Sequence, residues 1–186
     1  MEVSNTSKTT LLSHIYNEEY LLPFWLQHHK DMFDEIIIID YNSTDRSVEI
    51  CKTICPDCKI ITSRNENFDA TLVDKEVMDI ENTIEGIKIV LNTTEFLFCD
   101  KPLKDLFIDY EHYAISLSIN MISPYSNSWF EVNDCNELFT NLFDSSIRFH
   151  YDRSTRFIHN FRNGNYTIGR HSTNHIFIST DDAHIV

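Results

Sequence analysis

The chain has 186 residues, enough for one domain with a sizeable core, and its 42% hydrophobic content with only 3 Gly and 4 Pro excludes a disordered or low-complexity polymer. Its 29 acidic against 15 basic side chains give a net charge of -14, which excludes binding to nucleic acid or an anionic membrane surface as a main role, since both need clustered Lys and Arg. A nucleotide is still compatible, because a few backbone amides or one arginine can serve its phosphates locally.

The first half alternates strand and helix patterns. "TTLLSHI" (9–15) reads as a strand, and "EEYLLPFWLQHHKDM" (18–32) as an amphipathic helix with Pro23 in its first turns. "EIIIID" (35–40) is a strand covered on both faces. Asn42, Ser43 or Thr44 can cap a following helix over roughly 45–54, with Asp45 in its favourable first turn. "KIITS" (59–63) is a third strand, "DATLVDKEVMDIEN" (69–82) a third helix and "IKIVL" (87–91) a fourth strand. Strands alternating with helices predict a doubly wound α/β fold with a mainly parallel, Rossmann-like sheet. Ligands of such sheets bind beyond the C-terminal strand ends. Here those ends carry "HIYNEE", "DYNSTD", "SRNENFD" and "NTTEF", all polar, as a shared site requires.

The second half is less regular. "HYAISLSINMIS" (112–123) reads as a strand, "CNELFTNLF" (135–143) as a short helix, and "RSTRFIHNF" and "NYTIGRHSTNHIFIS" as short strands around Gly164 and Gly169. The chain ends abruptly at "DDAHIV", which suggests that part of the domain is missing after it. No repeat or linker interrupts it.

Five cysteines in a chain that begins without a basic and apolar leader point to reduced thiols. Cys55 and Cys58 have C-x-x-C spacing with Cys51 nearby, but no second pair or His completes a zinc site, so buried or partly exposed thiols are expected. The Asn-x-Ser/Thr triplets at Asn5, Asn42, Asn92 and Asn165 read as chance matches. No run approaches the ~18 apolar residues of a membrane span. A cytoplasmic location follows as the expectation.

Three blocks carry a resemblance: "YNEEYLLPFWLQHHKDMFDEIIIIDYNSTDRSVEIC", "NFDATLVDKEV" and "IKIVLNTTEFLF". They are similar to the N-terminal blocks of family-2-like glycosyltransferases of GT-A fold, with a looser likeness through "AISLSINMISPYSNS" and "YTIGRHS". The resemblance implies one domain over 1–186, with a nucleotide-sugar-binding half (9–99) and an acceptor-side half (100–186). It implies transfer of a sugar from a nucleotide-sugar donor to a hydroxyl of a glycan, protein or small molecule. Tyr16, Asn17 and Glu18 would lie against base and ribose, and Asp40 would mark the end of the second strand. Asn42, Ser43 and Asp45 would hold the turn near the nucleotide, Arg64 would reach the nucleotide or its phosphates, and Asp69 falls in the family's F-D-x-A stretch.

Relatives carry an acidic D-x-D-E-F element that holds Mg or Mn on the donor diphosphate, and here the aligned residues are Asn92, Thr93, Thr94, Glu95 and Phe96. Asn92 and Thr94 offer only neutral oxygens; Glu95 and His171 are the residues left for a metal. Glu131 and Asp134, after the acceptor-side strand, are candidates for the general base that takes the acceptor's proton. The alternative is a catalytically impaired relative that binds a nucleotide or glycan, or serves as an interaction module.

Overall fold

The computed structural model describes residues 7–108, 112–124, 134–144 and 146–186. The first half forms β1 (Thr9–Ile15), α1 (Leu22–His29), β2 (Glu35–Asp40), α2 (Ser47–Ile54), β3 (Lys59–Thr62), α3 (Ala70–Glu81) and β4 (Ile87–Val90). Its four strands make an all-parallel sheet in the order β3-β2-β1-β4. The expected α/β class with a mainly parallel sheet is therefore the observed one. Because side chains alternate across a strand, Ile36 and Ile38 enter the core on one face while Ile37 and Ile39 enter the core on the other. The first face packs on Leu22, Trp25 and Leu26 of α1 and Cys51 of α2, the second on Val77 of α3.

α1 is shorter than the predicted 18–32. Residues before it are drawn into loop contacts: the Glu18 N–H donates to Ser47 Oγ and the Glu19 N–H to Asp45 Oδ2. Asp45, not the earlier polar residues, closes the start of α2, its Oδ1 accepting the Ser47 N–H at 2.9 Å. α3 begins on a true cap, Asp69, whose carboxylate accepts the Leu72 N–H at 3.0 Å. Gly86, with φ +91°, carries the chain into β4; any Cβ there would run into the Lys8 carbonyl oxygen, which accepts the Ile87 N–H.

The second half adds β5 (Leu97–Cys99), α4 (Leu103–Leu106), β6 (Ala114–Pro124), α5 (Cys135–Asp144), β7 (Ser146–Ile158), a 3-10 turn (Ile168–Arg170) and β8 (Phe177–Ile185). They build a second, mixed sheet in the order β5-β8-β6-β7. Its inward residues Leu117, Ile119, Ile158 and Ile185 share the core with α1. The two sheets are also joined directly, because Lys88 of β4 and His159 after β7 exchange both main-chain hydrogen bonds. The Lys88 side chain is buried and donates to the Phe161 carbonyl at 2.7 Å.

The expectation of reduced thiols needs one correction. A tight turn after α2, with the Cys58 N–H donating to the Cys55 carbonyl, brings the two Cα atoms to 5.3 Å, and Cys55 and Cys58 are disulfide-bonded. Cys51 and Cys99 are free, and burial pushes both thiols up, to about 11 and about 12.

His28 and His29, at the end of α1, have a defined task. The Leu97 carbonyl accepts from His28 Nε2 at 2.7 Å, while the Leu97 N–H donates to His29 Nε2 at 3.1 Å. With Nε2 accepting, His29 carries its proton on Nδ1 and donates it to the Trp25 carbonyl at 2.8 Å. The pair holds β5 against α1.

No helix among the described residues is long and apolar enough to cross a membrane.

Candidate functional site

The loops after β1 and β2 are locked together by short polar side chains. Asn17 and Asn42, one in each loop, adopt left-handed backbone with φ 55° and 56°, a conformation Asn tolerates better than most residues. The Asn17 side-chain oxygen accepts from the Thr44 N–H at 2.8 Å and the Asp45 N–H at 3.3 Å, and its own N–H donates to Ser43 Oγ at 3.0 Å. Asp40, at the end of β2, is buried beneath this loop and accepts the Ser43 N–H at 3.1 Å. Asn17, Asp40, Ser43 and Asp45 thus each make at least one hydrogen bond that shapes the strand ends.

Above them opens a cleft of about 600 Å³, lined by His14, Tyr16, Glu18, Tyr41, residues 66–68 and residues 92–94. All four parallel strands contribute, at the C-terminal edge where such sheets bind ligands. Tyr16 and Phe68 are large aromatics left 59% and 77% exposed, and both border the cleft. A hollow of about 560 Å³ at the opposite edge is bordered by Lys8 and Glu35, which pair at 3.0 Å.

The Asn92–Glu95 turn forms one wall and is held by two buried arginines. Glu95 Oε2 accepts from Arg156 Nε at 2.9 Å and Oε1 from Arg156 Nη2 at 2.6 Å, a bidentate pair. The Asn92 N–H and side-chain amide donate to the same two oxygens at 2.9 and 3.1 Å. His171 joins from outside, its Nδ1 accepting from Arg156 Nη1 at 2.9 Å. Burial and the Arg156 charge both lower its pKa. Arg170, with φ 59°, donates from Nη2 to Asn92 Oδ1 at 2.9 Å and from Nη1 to Asp74 Oδ1 at 2.5 Å. These contacts hold a backbone conformation that arginine seldom adopts. Burial, then the charges of Arg170 and Arg156, drive His14 down to about 4.

Glu95 and His171 are thus brought together, but on a guanidinium. Among the described residues the Glu95 carboxylate accepts four hydrogen bonds, from Arg156 and Asn92, and His171 Nδ1 is taken by the same guanidinium. A hard divalent cation needs several free oxygen ligands. No group of three His, Cys, Asp or Glu side chains converges among the described residues. The residues of this turn do not fit a metal.

The remaining predicted site residues are spread out. Thr94 is exposed at the cleft. Arg64 does not line it: its guanidinium pairs with Asp79 of α3 at 2.6 Å. Asp69 caps α3, and Asp134 stands at the start of α5, accepting the Glu137 N–H at 2.9 Å. Glu131 lies outside the described residues.

Sequence reading missed the network that supports the cleft. Three buried acids of α3 each tie a segment at or beyond a strand end to that helix: Asp74 holds Gly169 and Arg170, Glu76 holds Ser63, Arg64 and Asn65, and Glu81 holds Gly164, His159 and Tyr166. Tyr166 is pushed well up by burial and by the Glu81 charge. The available signal was position. Asp74 and Glu81 fall beside or on the Val73–Val77 stripe that faces the core, whereas Arg156 stands in a strand already rich in polar residues and carries no such signal.

Residues 13–72 match the family model described as glycosyl transferase family 2. Over that segment the chain is glycosyltransferase-2-like. No curated protein matches the chain at a significant level. Among solved structures, it is similar to glucosyl-3-phosphoglycerate synthase from Mycobacterium tuberculosis, in a complex with Mn2+, UDP and glucosyl-3-phosphoglycerate, at 12% identity and a TM-score of 0.45, covering 61% of this chain and 44% of that one. It is also similar to S. aureus TarS 1-349 in complex with UDP, at 22% identity and a TM-score of 0.43, covering 67% of this chain and 38% of that one. The chain therefore spans less than half the length of these two structures.

Proposed function

We propose that the strand-end cleft binds the nucleotide of a nucleotide-sugar donor and that the chain transfers the sugar to an acceptor hydroxyl. One observation carries this reading: the segment that matches glycosyl transferase family 2, residues 13–72, supplies His14, Tyr16, Glu18, Tyr41 and residues 66–68, most of the cleft's lining. The chemistry of those residues supports it. Tyr16 and Phe68 offer exposed ring faces to a base, which stacks on aromatics for about 1–3 kcal/mol. Asn17, Asp40, Asn42 and Asp45 set the loops against which base and ribose would rest, and Asn92 and Thr94 face the sugar-diphosphate side. His14 borders the cleft, and its Nδ1 is buried without a hydrogen-bond partner among the described residues, so a polar ligand group could satisfy it. Arg64 and Asp69 act in this reading through the loop that carries Phe68. Glu131 or Asp134 takes the acceptor's proton, and the acceptor itself is a hydroxyl of a glycan, protein or small molecule.

Calorimetric titration with UDP and GDP tests the reading. One nucleotide should bind saturably, and Tyr16→Ala and Phe68→Ala should each weaken it about tenfold, the ratio that ~1.4 kcal/mol of lost stacking gives. Affinity unchanged in both variants would remove the cleft as the site.

A second reading is favoured by the neutral Asn92 and Thr94 and by the engagement of Glu95 with Arg156. In it the cleft binds nucleotide or glycan without transfer. Release of free nucleotide from a nucleotide-sugar in the presence of acceptors separates the two.

A further inference from the structure

We propose that Arg156 is the resident cation of the Asn92–Glu95 turn, so that this chain uses no divalent metal there and binds its nucleotide without one. The inference rests on the way one guanidinium meets both residues otherwise left for a metal. Arg156 takes both carboxylate oxygens of Glu95 at 2.9 and 2.6 Å and Nδ1 of His171 at 2.9 Å. Arginine stays charged at any working pH, unlike a lysine or histidine in the same place. A divalent ion reaching Glu95 would have to displace a bonded charge of its own sign from a carboxylate that already accepts four hydrogen bonds. The guanidinium is itself anchored from behind: Nη1 also donates to the Thr155 carbonyl at 3.1 Å and the Gly169 carbonyl at 3.3 Å, and only 2% of the residue is exposed.

The other end of the turn follows the same logic. Residue 92 is Asn, and its side-chain oxygen, the atom a metal would use, accepts from Arg170 Nη2 at 2.9 Å. An Asp here would add a second acid beside Glu95. The neutral Asn accepts from Arg170 and donates to Glu95, linking the two ion pairs Arg170–Asp74 and Arg156–Glu95 through one amide. The order of the turn is thus supplied by side chains 61 and 78 residues downstream of Glu95 and Asn92.

The replacement of charge stands on this geometry; its consequence for nucleotide binding rests on the reading of the cleft given above. Two measurements on the whole chain separate them. In the first, manganese chloride is titrated against the protein alone and the free-ion signal is followed by electron paramagnetic resonance. No protein-dependent loss of signal is expected. Uptake that Glu95→Gln abolishes would overturn the proposal, and if the Glu95 variant fails to fold, uptake abolished by His171→Ala, at an exposed position, overturns it equally. In the second, UDP is titrated by calorimetry in EDTA and in manganese. Equal affinity in the two buffers is expected, and binding that appears only with manganese would overturn the proposal. UDP that binds in neither buffer would count against the donor reading, while the manganese titration alone still decides the role of Arg156.

Discussion

Arg156→Ala is expected to lower the unfolding free energy by about 3–5 kcal/mol, the cost of leaving a buried charge without its partner. The side chains of Arg156 and Glu95 are 3% and 11% exposed, so water cannot replace the lost guanidinium. Only the two Asn92 donors would remain on Glu95, and the wall of the cleft would lose its anchor to β7. Urea denaturation measures the loss. Removing both charges at once, with Glu95→Gln and Arg156→Met, should recover most of it, because a buried pair replaced by uncharged groups of similar volume is often close to neutral. A single variant as stable as the parent would mean that the ion pair is not formed in solution. By contrast Arg46 and Glu49, 3.2 Å apart but 70% and 64% exposed, should respond little to substitution because solvent screens them.

Stability should fall as pH drops from 6.5 to 5, before Asp and Glu side chains begin to titrate. Burial, then the neighbouring His28, holds His29 down to about 3, and burial with the Arg170 and Arg156 charges holds His14 down to about 4. Each imidazole is therefore neutral in the folded chain throughout this window, whereas in the unfolded chain it takes up a proton below about 6.5. The unfolded state binds more protons, so stability is complete above about 6.5 and is lost as pH falls toward the folded values. The slope approaches 1.36 kcal/mol per pH unit once the unfolded imidazole is fully protonated, so each histidine should cost about 1.6 kcal/mol between pH 6.5 and 5. Protonating His29 would also set an N–H against the Leu97 N–H that it now accepts, loosening β5. The midpoint of thermal unfolding should drop across the window in the parent and less steeply in His29→Gln. A flat profile in the parent would contradict the buried, neutral state of both rings.

The first half of the fold was legible because each element carries its own pattern. Four consecutive isoleucines in β2, or Val73 and Val77 one helical turn apart in α3, identify a strand and a helix without outside help. The strand-end cleft followed from topology, since a parallel sheet places all its polar strand ends on one edge. β5 was missed because three residues are too few to show alternation. β8 was read only as far as Ser179 because Asp181 and Asp182 sit in its middle, and such residues are depleted from strands. The disulfide was missed because a C-x-x-C spacing does not reveal whether the turn brings the two Cα atoms close.

What the site residues do was less legible than where they lie. Asn17, Asp45 and Asp69 look like ligands in one dimension; in three, they bond to main-chain amides that shape the loops. Glu95 invites a metal when only its neighbours in sequence are considered. Its partner Arg156 is 61 residues away, and Arg170 meets Asp74 across 96, separations at which no local pattern links two residues.

The most direct measurement is a crystal structure of the chain soaked with UDP in the presence of EDTA. Nucleotide density is predicted in the strand-end cleft, with the base against Tyr16 and Phe68, the diphosphate toward Asn92 and Thr94, and the Glu95–Arg156 pair unbroken. An empty cleft at saturating UDP, or nucleotide bound elsewhere on the molecule, would contradict the assignment of this cleft to a nucleotide-sugar donor.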